Sequence, residues 1–149
     1  MSKRWGTPTW YFLHTLIEKI DENYYKIISN SVTNILIDLF KNLPCPYCKD
    51  HALSYIKRYN IYKIKTKPEM KMYLFNFHND VNKRLKHNIQ DKDILDLYKK
   101  MNFVKVYSYF ERQFFYSSPL SKTFYSWRTS MFKTRLIKFL NTHKHKMMK

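Results

Sequence analysis

The sequence is almost devoid of glycine and alanine, since its 149 residues include only one of each, Gly6 and Ala52. Phosphate-binding loops of the Walker and Rossmann types need several glycines, because their backbone must approach the phosphates closely. Neither type of loop can be built from this chain. Any bound nucleotide would therefore have to be held by side chains.

Acidic residues are scarce as well, because 11 Asp and Glu stand against 28 Lys and Arg, which gives a net charge of +17. No apolar run approaches the ~18 residues of a membrane span, and Lys3 and Arg4 are not followed by the apolar core of a signal peptide. We therefore expect a soluble chain with no membrane partner that is not secreted by a signal peptide. Aromatic residues make up 18% of the sequence, which predicts a packed core of one domain.

Apolar residues recur at helical spacing from Trp5 to about Met101. This pattern predicts an all-α fold, a four-helix bundle plus a short fifth helix. Thr7 and Pro8 are typical N-cap and first-turn residues, and the second helix should stop before Pro44 because proline restricts the residue that precedes it. The predicted helices span residues 8–20, 27–40, 47–59 and 68–85, followed by a shorter one that begins at Asp91 or Asp93.

The end of the chain has a different composition. From Arg112 to Lys149 there are nine Lys or Arg and no Asp or Glu, interleaved with aromatic residues. Residues 103–116 are ambiguous, residues 121–140 predict an amphipathic helix, and residues 143–149 are expected to fray. We expect a functional domain at residues 1–101 and a basic aromatic C-terminal extension at residues 102–149, packed on the same domain or at a subunit interface.

Three roles are open for this extension. Its basic and aromatic side chains could neutralise phosphates and stack on bases, as in proteins that bind single-stranded nucleic acid. A solvated helix face with an AT-rich codon bias explains the same composition, and we favour that interpretation over nucleic-acid binding. Aromatic residues after Phe103 could instead form the interface of a homodimer.

Cys45 and Cys48 are the only cysteines, and they form a Cys-x-x-Cys motif. A structural disulfide is a poor interpretation, because the loop that it closes is minimal. A zinc site completed by His51 and His78 would lack the spacing of a zinc finger. A redox-active dithiol fits better, because the N–H groups and positive end of a helix that starts here stabilise a thiolate, which can exchange with disulfides.

Three motifs in a specific order give this pair its context. They are Trp5-Gly6-x-Pro8-x-Trp10-x-x-Leu13-His14, Cys45-Pro46-Tyr47-Cys48-x-x-His51 and Phe77-His78-Asn79-x-Val81-Asn82-x-Arg84-Leu85. Over about residues 5–100 they resemble the Erv/ALR family of FAD-linked sulfhydryl oxidases, particularly the short forms of large cytoplasmic DNA viruses. The resemblance implies a bundle of four helices plus a short fifth with FAD in its mouth, and it agrees with the predicted helices.

The resemblance also implies which side chains hold FAD. Trp10 can stack on a flat aromatic ring, and His14 lies one turn further along the same helix face. Arg84, Lys86 or His87 can meet the diphosphate. The predicted cofactor-binding set is Thr7, Trp10, His14, Cys48, His51, Phe77, His78, Asn79, Val81, Asn82, Arg84, Leu85, Lys86 and His87, with no metal site.

By the same resemblance, a client dithiol attacks Cys45, and Cys48 passes two electrons to FAD and on to dioxygen, which yields hydrogen peroxide. His51 would position the flavin or tune the thiolate. The expected partners are dithiol-containing client proteins, among them virion proteins, or a thiol carrier, because the chain has no additional shuttle cysteines. We expect a homodimer in the host cytoplasm or the virion. The Arg-Trp or Trp element that many relatives place after the fourth helix is absent from residues 88–98.

Overall fold

The structure is a computed structural model that describes residues 4–116 and 124–149. Helices make up most of this part of the chain, which confirms the all-α prediction and the five predicted helices of the bundle. The helices are α1 (Gly6–Lys19), α2 (Glu22–Lys41), α3 (Pro46–Arg58), α4 (Lys67–Arg84), α5 (Ile94–Lys100), α6 (Phe103–Phe115) and α7 (Phe124–His143). Two short 3-10 turns occupy Ile61–Lys63 and Lys144–Lys146.

Helices α1 and α2 begin more than one residue earlier than the sequence predicts. Helix α1 has Trp5 as its N-cap, so the assignment of Thr7 as N-cap is wrong. Pro8 is tolerated in the first turn because the first four N–H groups of a helix lack intrahelical partners. Helix α2 begins at Glu22, because the carboxylate of Asp21 accepts the N–H of Tyr24 at 2.9 Å and caps the helix before its apolar periodicity starts.

Helix α1 is central to the bundle. Every residue from Phe12 to Ile20 is buried, and the helix contacts α4, α5 and α6. Two of these buried residues, Glu18 and Lys19, have charged side chains, and buried charges require hydrogen-bond or ion-pair partners. Glu18 accepts Lys71 Nζ at 2.9 Å, and Lys19 Nζ donates to the carbonyl oxygen of Lys99 at 2.9 Å. These contacts fix α1 against α4 and the end of α5.

All but the last of the ambiguous residues 103–116 lie in helix α6. Asn102 caps α6 by accepting the N–H of Lys105 at 3.0 Å. Phe110 is fully buried and stacks on Phe12 of α1, with ring centroids 4.3 Å apart. The aromatic and β-branched residues of this segment are also common in strands, so the sequence pattern alone does not decide between helix and strand. Packing against α1 favours the helix.

Helix α7 packs on α2 of the same chain. Phe132 and Leu136 are buried, and Arg135 donates two hydrogen bonds to the carboxylate of Asp38, at 2.6 and 2.8 Å. The predicted helix over residues 121–140 is present from Phe124, and residues 121–123 lie outside the described part. The division of the chain into residues 1–101 and 102–149 stays a prediction.

The prediction that the C-terminus frays is wrong. The N–H of Met148 donates to the carbonyl oxygen of Lys19 at 2.7 Å, and the N–H of Asp21 donates to the carbonyl oxygen of Lys146 at 2.9 Å. Met147 also packs against the core. The junction of α1 and α2 leaves backbone groups without helical partners, and the tail satisfies them.

Candidate active site

A cleft of about 210 Å³ lies between α1, α3 and α4. Trp10 contributes to it from α1, Cys48 from α3 and Phe77 from α4. The cleft therefore gathers residues of all three sequence motifs at one place. Of the predicted cofactor-binding set, it is lined by Thr7, Trp10, Cys48, His51, Phe77, His78, Val81, Asn82, Arg84, Leu85 and His87.

Cys45 and Cys48 form a disulfide at the start of α3, with their Cα atoms 5.2 Å apart. Cys45 is the N-cap residue, and its Sγ accepts the N–H of Cys48 at 3.1 Å. Cys48 lines the cleft, whereas Cys45 is not part of its wall. Between them Tyr47 is 57% exposed, and the Arg84 guanidinium lies 5.0 Å from its ring centroid. The two cysteines thus have different surroundings, because only Cys48 lines the cleft.

A stack of aromatic rings joins α1, α4 and α5 beside the cleft. Trp10 stacks on His78, with centroids 3.9 Å apart and planes within 7°, and His14 stacks on Tyr98. His14 Nε2 and His78 Nδ1 share a hydrogen bond of 3.0 Å. Burial lowers the pKa of His78 to about 4 and, together with His78 itself, lowers the pKa of His14 to about 3. Both rings are therefore neutral near pH 7, one donating and the other accepting.

This histidine pair predicts sensitivity to acid. The unfolded chain protonates both rings below about pH 6.5, whereas the folded chain takes up these protons only near pH 4 and pH 3. The free energy of unfolding should therefore fall as the pH drops from about 6.5 towards about 4. The lowered pKa of His143, caused by burial and by His145, acts in the same direction.

Thermal unfolding followed by circular dichroism across this pH range measures the effect. We expect His14→Gln to flatten the fall, and His87→Gln, at an exposed histidine, to leave its slope unchanged. A melting temperature that stays constant between pH 6.5 and pH 4.5 would contradict the prediction.

Three residues of the predicted set lie outside the cleft wall. The ring of His14 is hydrogen-bonded to His78 and stacks on Tyr98. The side chain of Asn79 holds the backbone of Gln90, donating to its carbonyl oxygen at 2.9 Å and accepting its N–H at 2.8 Å. Lys86 lies just beyond the Leu85 C-cap of α4, in the left-handed conformation with φ 60°. Glycine normally takes that position, and in this chain a lysine does so.

The described residues give no support to the zinc alternative. Among them, no group of three or more His, Cys, Asp or Glu side chains is arranged to hold a metal ion. Both histidines proposed for that site have other partners, since His51 Nε2 lies 2.7 Å from Asp80 Oδ2 and His78 is bonded to His14.

The model of the Erv1/Alr family matches residues 7–105, about two thirds of the chain. The chain belongs to the Erv1/Alr family. The resemblance seen in the three motifs is confirmed. The match covers α1 to α5 and ends within the first turn of α6, so most of the C-terminal extension lies beyond it.

Several viral relatives belong to this comparison. The FAD-linked sulfhydryl oxidase of African swine fever virus (isolate Tick/Malawi/Lil 20-1/1983) is 31% identical over 116 residues, covering 70% of this chain and 96% of the relative. A protein of Invertebrate iridescent virus 3, provisionally named FAD-linked sulfhydryl oxidase 096R, is 30% identical over 99 residues, covering 65% of this chain and 67% of the relative. No solved structure gives a significant match.

Some lining residues of this Erv1/Alr cleft were missed by the sequence analysis. Trp5, Gly6 and Leu13 belong to the first motif, and Tyr47 lies between the two cysteines, so the sequence did indicate that these residues lie near the site. No sequence pattern indicates this for Phe40, because it is the last apolar residue of the buried face of α2. The missed lining residues are Trp5, Gly6, Thr9, Leu13, Phe40, Leu43 and Tyr47.

None of the described helices of this Erv1/Alr chain is long and apolar enough to cross a membrane.

Proposed function

We propose that this Erv1/Alr chain is an FAD-linked sulfhydryl oxidase that uses Cys45 and Cys48 to form disulfides in protein thiols. The overall reaction would be 2 R–SH + O₂ → R–S–S–R + H₂O₂. The observation that carries the proposal is the Cys45–Cys48 disulfide at the N-terminus of α3, with Cys48 in the wall of an aromatic cleft. Viral relatives that are named for this activity support it.

The residues present fit FAD. The cleft offers the aromatic side chains of Trp10 and Phe77 to a flat ring system. Its volume of about 210 Å³ is below the ~300–1,000 Å³ of typical ligand pockets, so a whole dinucleotide needs more room than the cleft provides. A second, open groove of about 530 Å³ adjoins this cleft, and His51 and Arg84 line both cavities.

Together, the two cavities offer room for the two ends of the cofactor. Trp10, Phe77 and His78 would hold the isoalloxazine, and Arg84 and His87 would meet the diphosphate. Arg58 and Lys83 extend the positive charge along the second groove. Contacts of Lys86 with the diphosphate stay a prediction. When bound, FAD supplies a two-electron acceptor that dioxygen can reoxidise.

The geometry of the pair supports thiol–disulfide exchange. A client thiolate attacks Cys45 Sγ, which forms a mixed disulfide and releases Cys48 as a thiolate. A second client thiolate then attacks the client sulfur of that bond, so the client leaves as a disulfide and Cys45 leaves as a thiolate. The N–H of Cys48, which points at Cys45 Sγ, stabilises that negative charge.

The partners and the location are part of the same proposal. We propose dithiol-containing client proteins, among them virion proteins, or a thiol carrier as electron donors. Because the relatives are viral, the proposed site of action is the host cytoplasm or the virion. The homodimer stays a prediction, and light scattering of the purified chain would test it.

An absorption spectrum tests this function directly. The purified protein should be yellow and carry FAD, and a dithiol reductant added under air should consume oxygen and produce hydrogen peroxide. Free FAD at the same concentration is the control, and catalase should return part of the oxygen consumed. A colourless protein that cannot be reconstituted with FAD would overturn the proposal.

A further inference from the structure

A histidine–carboxylate pair lies beside the cysteine motif. His51 Nε2 and Asp80 Oδ2 are 2.7 Å apart, a distance typical of a charge-assisted hydrogen bond. The side chain of His51 is 11% exposed and that of Asp80 is 47% exposed. Asp80 occupies an unassigned position of the third sequence motif, and the thiol–disulfide exchange at Cys45 and Cys48 gives it no role.

This hydrogen bond determines which nitrogen of His51 can accept a proton. A carboxylate only accepts hydrogen bonds, so His51 donates from Nε2–H and its neutral ring keeps Nδ1 as the basic nitrogen. Cys48 precedes His51 by three residues, so the two side chains share one face of α3. Both of them line the cleft.

Asp80 is also the one carboxylate among the described residues that line the two cavities. The other charged groups around His51 in the second groove are cations, which oppose a positive charge on its ring. Asp80 is therefore the group that can offset an imidazolium at this point. The titratable and charged groups that share the second groove with His51 and Asp80 are Tyr55, Arg58, Tyr59, Lys83 and Arg84. Those in the cleft are Tyr47, Cys48, His78, Arg84 and His87.

We propose that Asp80 is a positioning residue for a proton transfer from Cys48 to His51. The S–H bond of Cys48 breaks, the proton forms an Nδ1–H bond on His51, and the resulting imidazolium is paired with the Asp80 carboxylate. No electron moves in this step. The proton reaches solvent at the Asp80 carboxylate, which is half exposed. This inference rests on the proposed function, because it concerns how Cys48 becomes a thiolate.

The first test follows reduction of the bound FAD by dithiothreitol without oxygen, by rapid mixing from about pH 5 to about pH 9. Asp80→Ala should slow reduction at least about 10-fold near pH 7, less than the ~10²–10⁴-fold that a whole general base contributes. The acid limb should move to higher pH, and the rates should converge with the wild type at high pH, where Cys48 ionises unaided. Asp80→Glu should restore much of the rate.

The second test does not depend on turnover. In a Cys45→Ser background Cys48 is the only thiol, so the rate of alkylation by iodoacetamide reports its thiolate. The midpoint of the alkylation profile should rise in pH when Asp80→Ala is added. Asp80→Asn keeps a hydrogen-bond acceptor without the charge, so it should retain the fold and show the same direction of change.

Asp50→Asn is the matched control, because Asp50 is an exposed carboxylate beside His51 in the chain. It should leave both profiles unchanged. Identical wild-type and Asp80→Ala profiles, or a lower plateau with no shift in pH, would overturn the proposed proton transfer. A wild-type protein that neither binds FAD nor oxidises dithiols would instead contradict the proposed function. The alkylation experiment would still decide whether Asp80 assists the proton transfer.

Discussion

Replacing Cys48 by serine is expected to reduce thiol oxidation by at least about 10³-fold while leaving FAD bound. Serine has nearly the shape of cysteine, so the cleft wall keeps its form, but an alcohol can neither form the disulfide nor donate electrons. Oxygen uptake with dithiothreitol measures the loss, and the flavin absorbance of the purified variant measures retention of the cofactor.

Cys45→Ser is the contrasting variant, because it removes the sulfur that is not part of the cleft wall. It should keep a reactive Cys48 and fail mainly with dithiol substrates. Wild-type rates in either variant would show that the roles assigned to the pair are wrong, and loss of flavin from Cys48→Ser would mean that the sulfur helps to hold the cofactor.

The bundle was predictable because its signals are local. Apolar residues at helical spacing indicated α1 to α5, and prolines near the starts of α1, α3 and α4 indicated where they begin. The same reasoning placed the cysteine pair at the start of α3. Local signals were sufficient here because a helix forms its backbone hydrogen bonds within one segment.

The pairing of His14 with His78 was not predictable in the same way. The sequence places His14 one turn from Trp10 and thereby suggests a ligand contact, which stays a prediction; the structure adds a partner 64 positions away in the chain. Asn79 shows the same limit, because its amide, whose contact with the cofactor also stays a prediction, holds the backbone of Gln90 in the structure. Which polar groups meet across a bundle depends on helix packing, which no local pattern specifies.

Helix α6 is expected to contribute strongly to stability although its conformation was ambiguous from the sequence. Phe110→Ala removes a fully buried ring that stacks on Phe12, and such truncations cost about 3–5 kcal/mol. In a chain of this length, about 2–4 °C is lost per kcal/mol, so the melting temperature should fall by roughly 10 °C. Thermal unfolding followed by circular dichroism measures this.

Val104→Ala is the control, because that side chain lies on the same helix and is 74% exposed. It should change the free energy of unfolding by less than about 0.5 kcal/mol. Phe12 lies two residues from Trp10, so loss of α6 packing loosens the helix that carries Trp10 into the cleft. Helical signal and flavin should therefore be lost in one transition in Phe110→Ala. Two separate transitions, or a cost below about 1 kcal/mol, would show that the extension folds independently of the bundle.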